Sequence, residues 1–164
     1  MNITIQRNKP KGDYTHGHLS IDGLRICDTL ENTYGLAPAG VYPITLIQCK
    51  HHSRKMPVLN PNAPCDRCPK SLNPNPSSLN YTLPCWCPML KPGNGICGRL
   101  DGSILVGQFN CLGSLIHPKT TFDPLYERIR KSLSRGNEVI LTIKDIPSSL
   151  IPHPSSLIPH PSSL

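Results

Sequence analysis

Apolar and polar residues alternate with a period of two along several short stretches of the chain, as in half-buried β-strands. Three stretches lie in the first third: "NITIQR" at 2–7, "GHLSIDGLRICDTL" at 17–30 and "GVYPITLIQC" at 40–49. The second is divided by Asp22-Gly23, a pair that strongly indicates a tight hairpin between two strands. This part of the chain therefore predicts short strands joined by turns.

The C-terminal third combines two further strands with a helix. "SILVG" and "EVILTI" are rich in β-branched residues, as strands are. Between them, apolar side chains fall at helical spacing at Phe122, Leu125, Tyr126, Ile129 and Leu133. We expect Thr121 to cap this helix and Gly136 to end it. The predicted fold is mainly β (α+β): a compact sheet or partly open barrel of short strands, with one C-terminal amphipathic helix and a final strand.

Composition distinguishes one domain from two proline-rich segments, an insertion and a C-terminal tail, that have too few apolar residues to form a core. A chain of 164 residues is long enough for one domain with a buried core. The C-terminal units IPSSL, IPHPSSL and IPHPSSL, like NPNPSSL earlier in the chain, repeat prolines that oppose both helix and sheet. We expect a single β-rich domain at 1–145 with a Cys/Pro-rich insertion at about 60–88, and a disordered seven-residue repeat tail at 146–164.

The net charge permits a polyanionic partner, and the hydropathy of the chain argues against a membrane-spanning segment. The formal net charge of +7, with the basic stretch "KHHSRK" at 50–55, permits contact with nucleic acid or another polyanion, although we favour a solvated loop for this stretch, because no aromatic residue lies nearby. The start of the chain lacks the apolar segment of a signal peptide, and no apolar run approaches the roughly 20 residues that span a bilayer. We therefore expect a cytoplasmic protein with no membrane span.

Four of the eight cysteines form two close pairs, "CDRC" and "CWC". In a reducing compartment, such cysteines are metal ligands or free thiols rather than disulfides. Four thiolates on two short loops suit a tetrahedral zinc ion, so one structural zinc is the candidate cofactor, held by Cys65, Cys68, Cys85 and Cys87. The alternative is an insertion whose cysteines bind no metal. Cys27 is most simply a buried strand residue.

Five short motifs, in this order and spacing, resemble a known family: "CDTLEN", "PAGVYPI", "MPVL", "PGN" and "DGSILVG". The chain is similar, over about residues 1–144, to the bacterial and phage family called domain of unknown function 5675. The cysteine-rich insertion interrupts the match, and the repeat tail lies outside it. The resemblance implies an origin in a bacterium, a phage or a prophage.

The resemblance also implies where a site lies. Many family members have a histidine two residues before "GN" and a cysteine directly after the glycine of the last motif, a pair similar to the site of peptidoglycan L,D-transpeptidases. Lys91 and Ser103 stand at these positions here, which rules out a cysteine mechanism. A Ser/Lys pair is the catalytic alternative, and a structural role for Ser103 is the one we expect. The neighbouring motif residues are the candidate binding residues: Gly93, Asn94, Asp101 and Gly102.

Two hypotheses about function follow. The resemblance implies a cell-wall protein, with a peptidoglycan fragment as its partner and its presumed catalytic pair replaced. The alternative is a noncatalytic, zinc-stapled binding module whose basic loops contact nucleic acid or another polyanion.

The zinc site is tested by metal analysis of protein purified under reducing conditions. We expect about one zinc ion per chain, because four thiolates complete the tetrahedral shell of a structural site. The Cys65→Ser/Cys68→Ser double variant should lose this zinc. Equal metal content in the two proteins, or no zinc in the parent, would eliminate the site.

Overall fold

Most of the chain that can be described belongs to one curled sheet. The computed structural model describes residues 1–48, 52–59, 88–95, 102–110 and 112–146. Within these ranges it contains one α-helix, α1 (Pro118–Ser134), and nine strands: β1 (Asn2–Arg7), β2 (Tyr14–Ile21), β3 (Leu24–Asn32), β4 (Gly40–Gln48), β5 (Lys55–Leu59), β6 (Leu90–Pro92), β7 (Ile104–Phe109), β8 (Leu115–Ile116) and β9 (Ile140–Lys144).

The two strands at the ends of the sheet, β5 and β6, contact each other. The order is β5-β4-β9-β1-β2-β3-β7-β6, and β8 pairs with β7 outside this path. Neighbouring strands are antiparallel except for β1 with β9 and β6 with β7. A bridge between Val58 and Met89 joins the end strands, and the Leu59 amide donates to the Pro88 carbonyl at 2.8 Å. The prediction of a mainly β, partly open barrel of short strands is confirmed.

The hairpin predicted at Asp22-Gly23 is present. Both residues have positive φ, 48° and 86°, as the two central residues of a type I′ turn require. The turn sets Ile21 opposite Leu24, at the start of the β2–β3 pairing. Glycine adopts this conformation without steric cost, and aspartate tolerates it better than most residues do.

The predicted helix is present, but its start was placed wrongly. The helix begins at Pro118, so Thr121 lies inside it and does not cap it. Proline suits the first helical position, because its φ is preset and the amide it lacks would have no partner there. The predicted end is confirmed: Gly136 has φ 76°, and its amide donates to the Leu133 carbonyl at 3.0 Å.

The helix and the inner face of the sheet share one apolar core. Along β1 and β2 every second residue is buried, as expected for strands with one face turned inward. Helix α1 contributes Phe122, Leu125 and Ile129, which are at most 1% exposed. They belong to the same buried cluster as the strand residues Ile3, Ile5, Leu19, Leu90, Ile104 and Leu141.

A buried ion pair lies among these apolar residues. The Arg7 guanidinium donates from Nε and Nη2 to the two carboxylate oxygens of Glu31, at 2.8 and 2.6 Å, and each residue is 2% exposed. Arg7 also donates to the Ala37 carbonyl at 2.7 Å and to Asp145 at 3.1 Å. Burial raises the pKa of Glu31, and the bonds from Arg7 oppose that rise. Arg7 thereby connects β1, β3, the segment before β4 and the end of β9.

Replacing Glu31 by glutamine tests this pair. We expect Glu31→Gln to lower the free energy of unfolding at pH 7 by about 3 kcal/mol, because it leaves a buried guanidinium without its bidentate partner. Urea unfolding followed by circular dichroism measures the change. Glu127→Gln is the matched control, because it removes an exposed pair with Arg130 and should change little. A Glu31→Gln protein as stable as the control would contradict a structural role for the pair.

Candidate functional site

Lys91 and Ser103 lie on adjacent strands and share a face of the sheet. Strands β6 and β7 run parallel, with Lys91 opposite Leu105. Because alternate strand residues point the same way, Ser103, just before β7, faces the same side as Leu105 and hence as Lys91. Each is 8% exposed. The structure thus brings together the two positions that the family resemblance singled out.

The candidate binding residues near Lys91 and Ser103 differ in burial and in their contacts. Gly102 is buried and has φ 69°, a conformation that favours glycine at the entry to β7. Gly93 packs on Leu105 so closely that an added Cβ would lie 2.7 Å from a methyl carbon of that residue. Asn94 is exposed, and its carbonyl accepts from the Leu115 amide at 2.9 Å. Asp101 lies outside the described residues.

A cavity of about 280 Å³ opens beside Lys91. Its described lining comes from the segment before β5, from β5 itself and from β6: His52, Ser53, Arg54, Met56, Lys91 and Pro92. The sequence predicted the basic stretch at 50–55 and Lys91 as separate features. Folding brings them to one cavity because β5 and β6 meet at the closure of the sheet.

Arg54 is held at the cavity by helix α1. Its Nη2 donates to Oδ1 of Asp123 at 2.8 Å, and its guanidinium carbon lies 5.0 Å from the ring centre of Phe122 and 4.5 Å from that of Tyr126. Within the described part of the chain, Nη2 is the only nitrogen of Arg54 that makes a hydrogen bond. The side chain is 40% exposed. Ion pairing and stacking therefore orient a guanidinium that still has donors to offer.

The described lining of the cavity is rich in basic side chains. Arg54 and Lys91 contribute two cationic groups and His52 an imidazole, while no carboxylate lines the cavity among the described residues. Asp123 offsets part of the Arg54 charge from the helix side. A planar guanidinium with free donors matches the two oxygens of a carboxylate or the oxygens of a phosphate. The arrangement is thus suited to hold a small anion.

A second polar cluster lies on the outer face of β2 and β3. The His16 ring stacks on Phe109 at 3.9 Å, and its Nε2 is 4.0 Å from Oδ1 of Asp28. Burial is the main cause that lowers the pKa of His16. Burial also raises the pKa of Asp28, but the Phe109 amide at 2.8 Å and Arg25 at 2.6 Å outweigh this effect, so that pKa lies below its usual range.

Metal and thiol chemistry have little support in the described part of the chain. No group of three or more His, Cys, Asp or Glu residues there is placed to hold a metal ion. The predicted zinc ligands Cys65, Cys68, Cys85 and Cys87 lie outside the described residues. Cys27 is buried as predicted, and burial raises its pKa to about 12, so its thiol is a poor nucleophile at neutral pH.

Comparison with known proteins adds no relatives to these observations. No family model matches the chain, and no curated protein or solved structure shows significant similarity to it. In the described ranges, no helix is long and apolar enough to cross a membrane.

The Asp28 cluster predicts a pH-dependent contribution to stability. Since the pKa of Asp28 is lowered by folding, its ionised form stabilises the folded state above the unfolded value of about 4, and this contribution is lost as the pH falls from there towards the folded value. Asp28→Asn should cost about 1 kcal/mol at pH 7 and less at pH 3. Thermal unfolding at both pH values measures this, with exposed Asp13→Asn as the control. An equal loss at both pH values would show that the charge of Asp28 is not the cause.

Proposed function

We propose that this protein is a member of the domain of unknown function 5675 family that binds a cell-wall peptide without cleaving it. One observation carries the proposal: the family's histidine position, here Lys91, opens onto a cationic cavity. Peptidoglycan stem peptides carry free carboxylates, which such a cavity attracts. The position just before β7 holds Ser103, where the resemblance implies a cysteine.

Binding without cleavage follows from how the two positions relate to the cavity. Lys91 lines it, whereas Ser103 is not among the six described residues that do. An anion in the cavity would therefore contact the cation but would not meet the serine hydroxyl. This placement favours a structural role for Ser103.

Co-sedimentation with purified peptidoglycan and turnover of its stem peptides test this proposal. We expect the parent to bind the insoluble polymer and to release no product. Ser103→Ala should bind as the parent does, because Ser103 lies outside the lining, and Lys91→Met should bind more weakly. Each variant is first checked for intact folding by circular dichroism.

Three results would overturn the proposal. Turnover by the parent that both substitutions abolish would establish a Ser/Lys enzyme. Absence of binding to peptidoglycan would reject the cell-wall ligand. Binding to DNA in its place, with an affinity that falls steeply as salt rises, would favour the zinc-stapled polyanion-binding module.

A further inference from the structure

Asn94 and Gly95 form a bend directly after β6 and belong to no strand or helix. Asn94 is exposed, and its main-chain carbonyl accepts from the Leu115 amide at 2.9 Å. In the described part of the chain, neither the side chain of Asn94 nor the amide of Gly95 makes a hydrogen bond. The side-chain amide of Asn94 is therefore free to turn towards the Gly95 nitrogen.

The glycine after Asn94 removes the usual obstacle to a reaction between neighbouring residues. Of all the asparagines in the sequence, only Asn94 is followed by glycine. A side chain on the following residue shields its backbone nitrogen and limits its rotation, and glycine has no side chain. A Cβ added at Gly95 would meet no described atom within 4 Å, so the surrounding fold leaves open space there as well. The Gly95 nitrogen can therefore reach Cγ of Asn94.

We propose that Asn94 is a modification site at which the chain deamidates without an enzyme. The Gly95 nitrogen attacks Cγ of Asn94, and the new C–N bond closes a five-membered succinimide ring. The C–N bond of the side-chain amide breaks, and its nitrogen leaves as ammonia with the proton that the Gly95 nitrogen gives up. Because both reacting groups belong to neighbouring residues, the ring closes without the entropy cost of bringing two molecules together. The inference is independent of the proposed function.

Water then opens the succinimide ring in one of two ways. Attack at Cγ breaks the bond from Cγ to the Gly95 nitrogen and gives aspartate at position 94. Attack at the main-chain carbonyl carbon breaks the original peptide bond and gives isoaspartate, in which the chain runs through Cγ. The second product prevails, because the nitrogen on Cα makes the main-chain carbonyl the more electrophilic of the two. Either product turns a neutral residue of the "PGN" motif into an anion.

The two products differ in their effect on β8. In the isoaspartyl form, the carbonyl that accepts from the Leu115 amide becomes part of a free carboxylate, and the main chain gains one methylene group. Leu115 has little room to follow this change, since it is 1% exposed and its Cβ would lie 2.9 Å from a Cβ added at Gly107. We therefore expect isoaspartate to break this hydrogen bond and aspartate to keep it.

Incubation of the full chain at pH 8, followed by mass spectrometry of its tryptic peptides, tests the inference. Asn137 is the internal control, because it is exposed and outside strands and helices but precedes glutamate. We expect Asn94 to deamidate at least about tenfold faster than Asn137, and the chain unfolded in urea to react at Asn94 at a similar rate to the folded chain. The reaction should slow at pH 6, because the attacking nitrogen must lose its proton.

Gly95→Ala is the variant that isolates the role of glycine. Its methyl group has room in the fold, so the variant should remain folded. It should slow the reaction at Asn94 at least about tenfold, because the methyl group shields the attacking nitrogen, and should leave Asn137 unchanged. Hydrogen exchange followed by NMR then measures the effect on β8. The Leu115 amide should exchange at least about tenfold faster in the purified isoaspartyl form than in the parent, and Asn94→Asp should exchange as the parent does.

Several outcomes would overturn the inference. They are deamidation of Asn94 no faster than that of Asn137, a folded Gly95→Ala protein that reacts as the parent does, and a folded chain that reacts at least about tenfold more slowly than the unfolded one. Aspartate as the main product, or unchanged exchange of the Leu115 amide in the isoaspartyl form, would overturn the effect on β8.

Discussion

The buried pair of Arg7 and Glu31 constrains the whole sheet. The Arg7 guanidinium connects four segments. Arg7 itself lies on β1, and it donates to Glu31 on β3, to the Ala37 carbonyl before β4 and to Asp145 after β9. Removing two charges from water costs more than most pairings return, so such a pair does more to specify an arrangement than to stabilise it. β1 and β3 both pair with β2, and any register of these strands that separated the two charges would leave both buried and unpaired. The sheet must therefore curl in a way that keeps Arg7 and Glu31 in contact.

The curl in turn creates the candidate site. Arg54 and Lys91 are distant in sequence and lie at opposite ends of the strand order, on or beside β5 and β6. They meet because the bridge between Val58 and Met89 joins those two strands. Helix α1 then adds Asp123 and Tyr126, which orient Arg54. The cavity therefore depends on closure of the sheet and on a helix docked beside β6 and β7.

The sequence predicted the regular elements better than the irregular ones, for physical reasons. Strands β1 to β4, β7 and β9 are long enough for alternation or β-branched composition to mark them. Strands β6 and β8 have three and two residues and show no period, and β5 is buried on both faces after its first residue, so alternation is absent there. The resemblance predicted Lys91 and Ser103 as site positions, and this stays a prediction. The basic stretch was visible as well, but its meeting with Lys91 is a tertiary contact that local patterns do not encode.

Lys91 and Ser103 stand where the resemblance implies a histidine and a cysteine, and the two pairs differ in their chemistry. A histidine facing a cysteine would place a proton acceptor beside a soft nucleophile. Lysine at the first position carries instead an ammonium group, which donates hydrogen bonds and cannot accept one. Serine at the second position lacks the intrinsic nucleophilicity of a thiolate and is compatible with a buried strand entry behind Gly102. Arg54, oriented by α1, and Lys91 both line the cavity, whereas Ser103 does not.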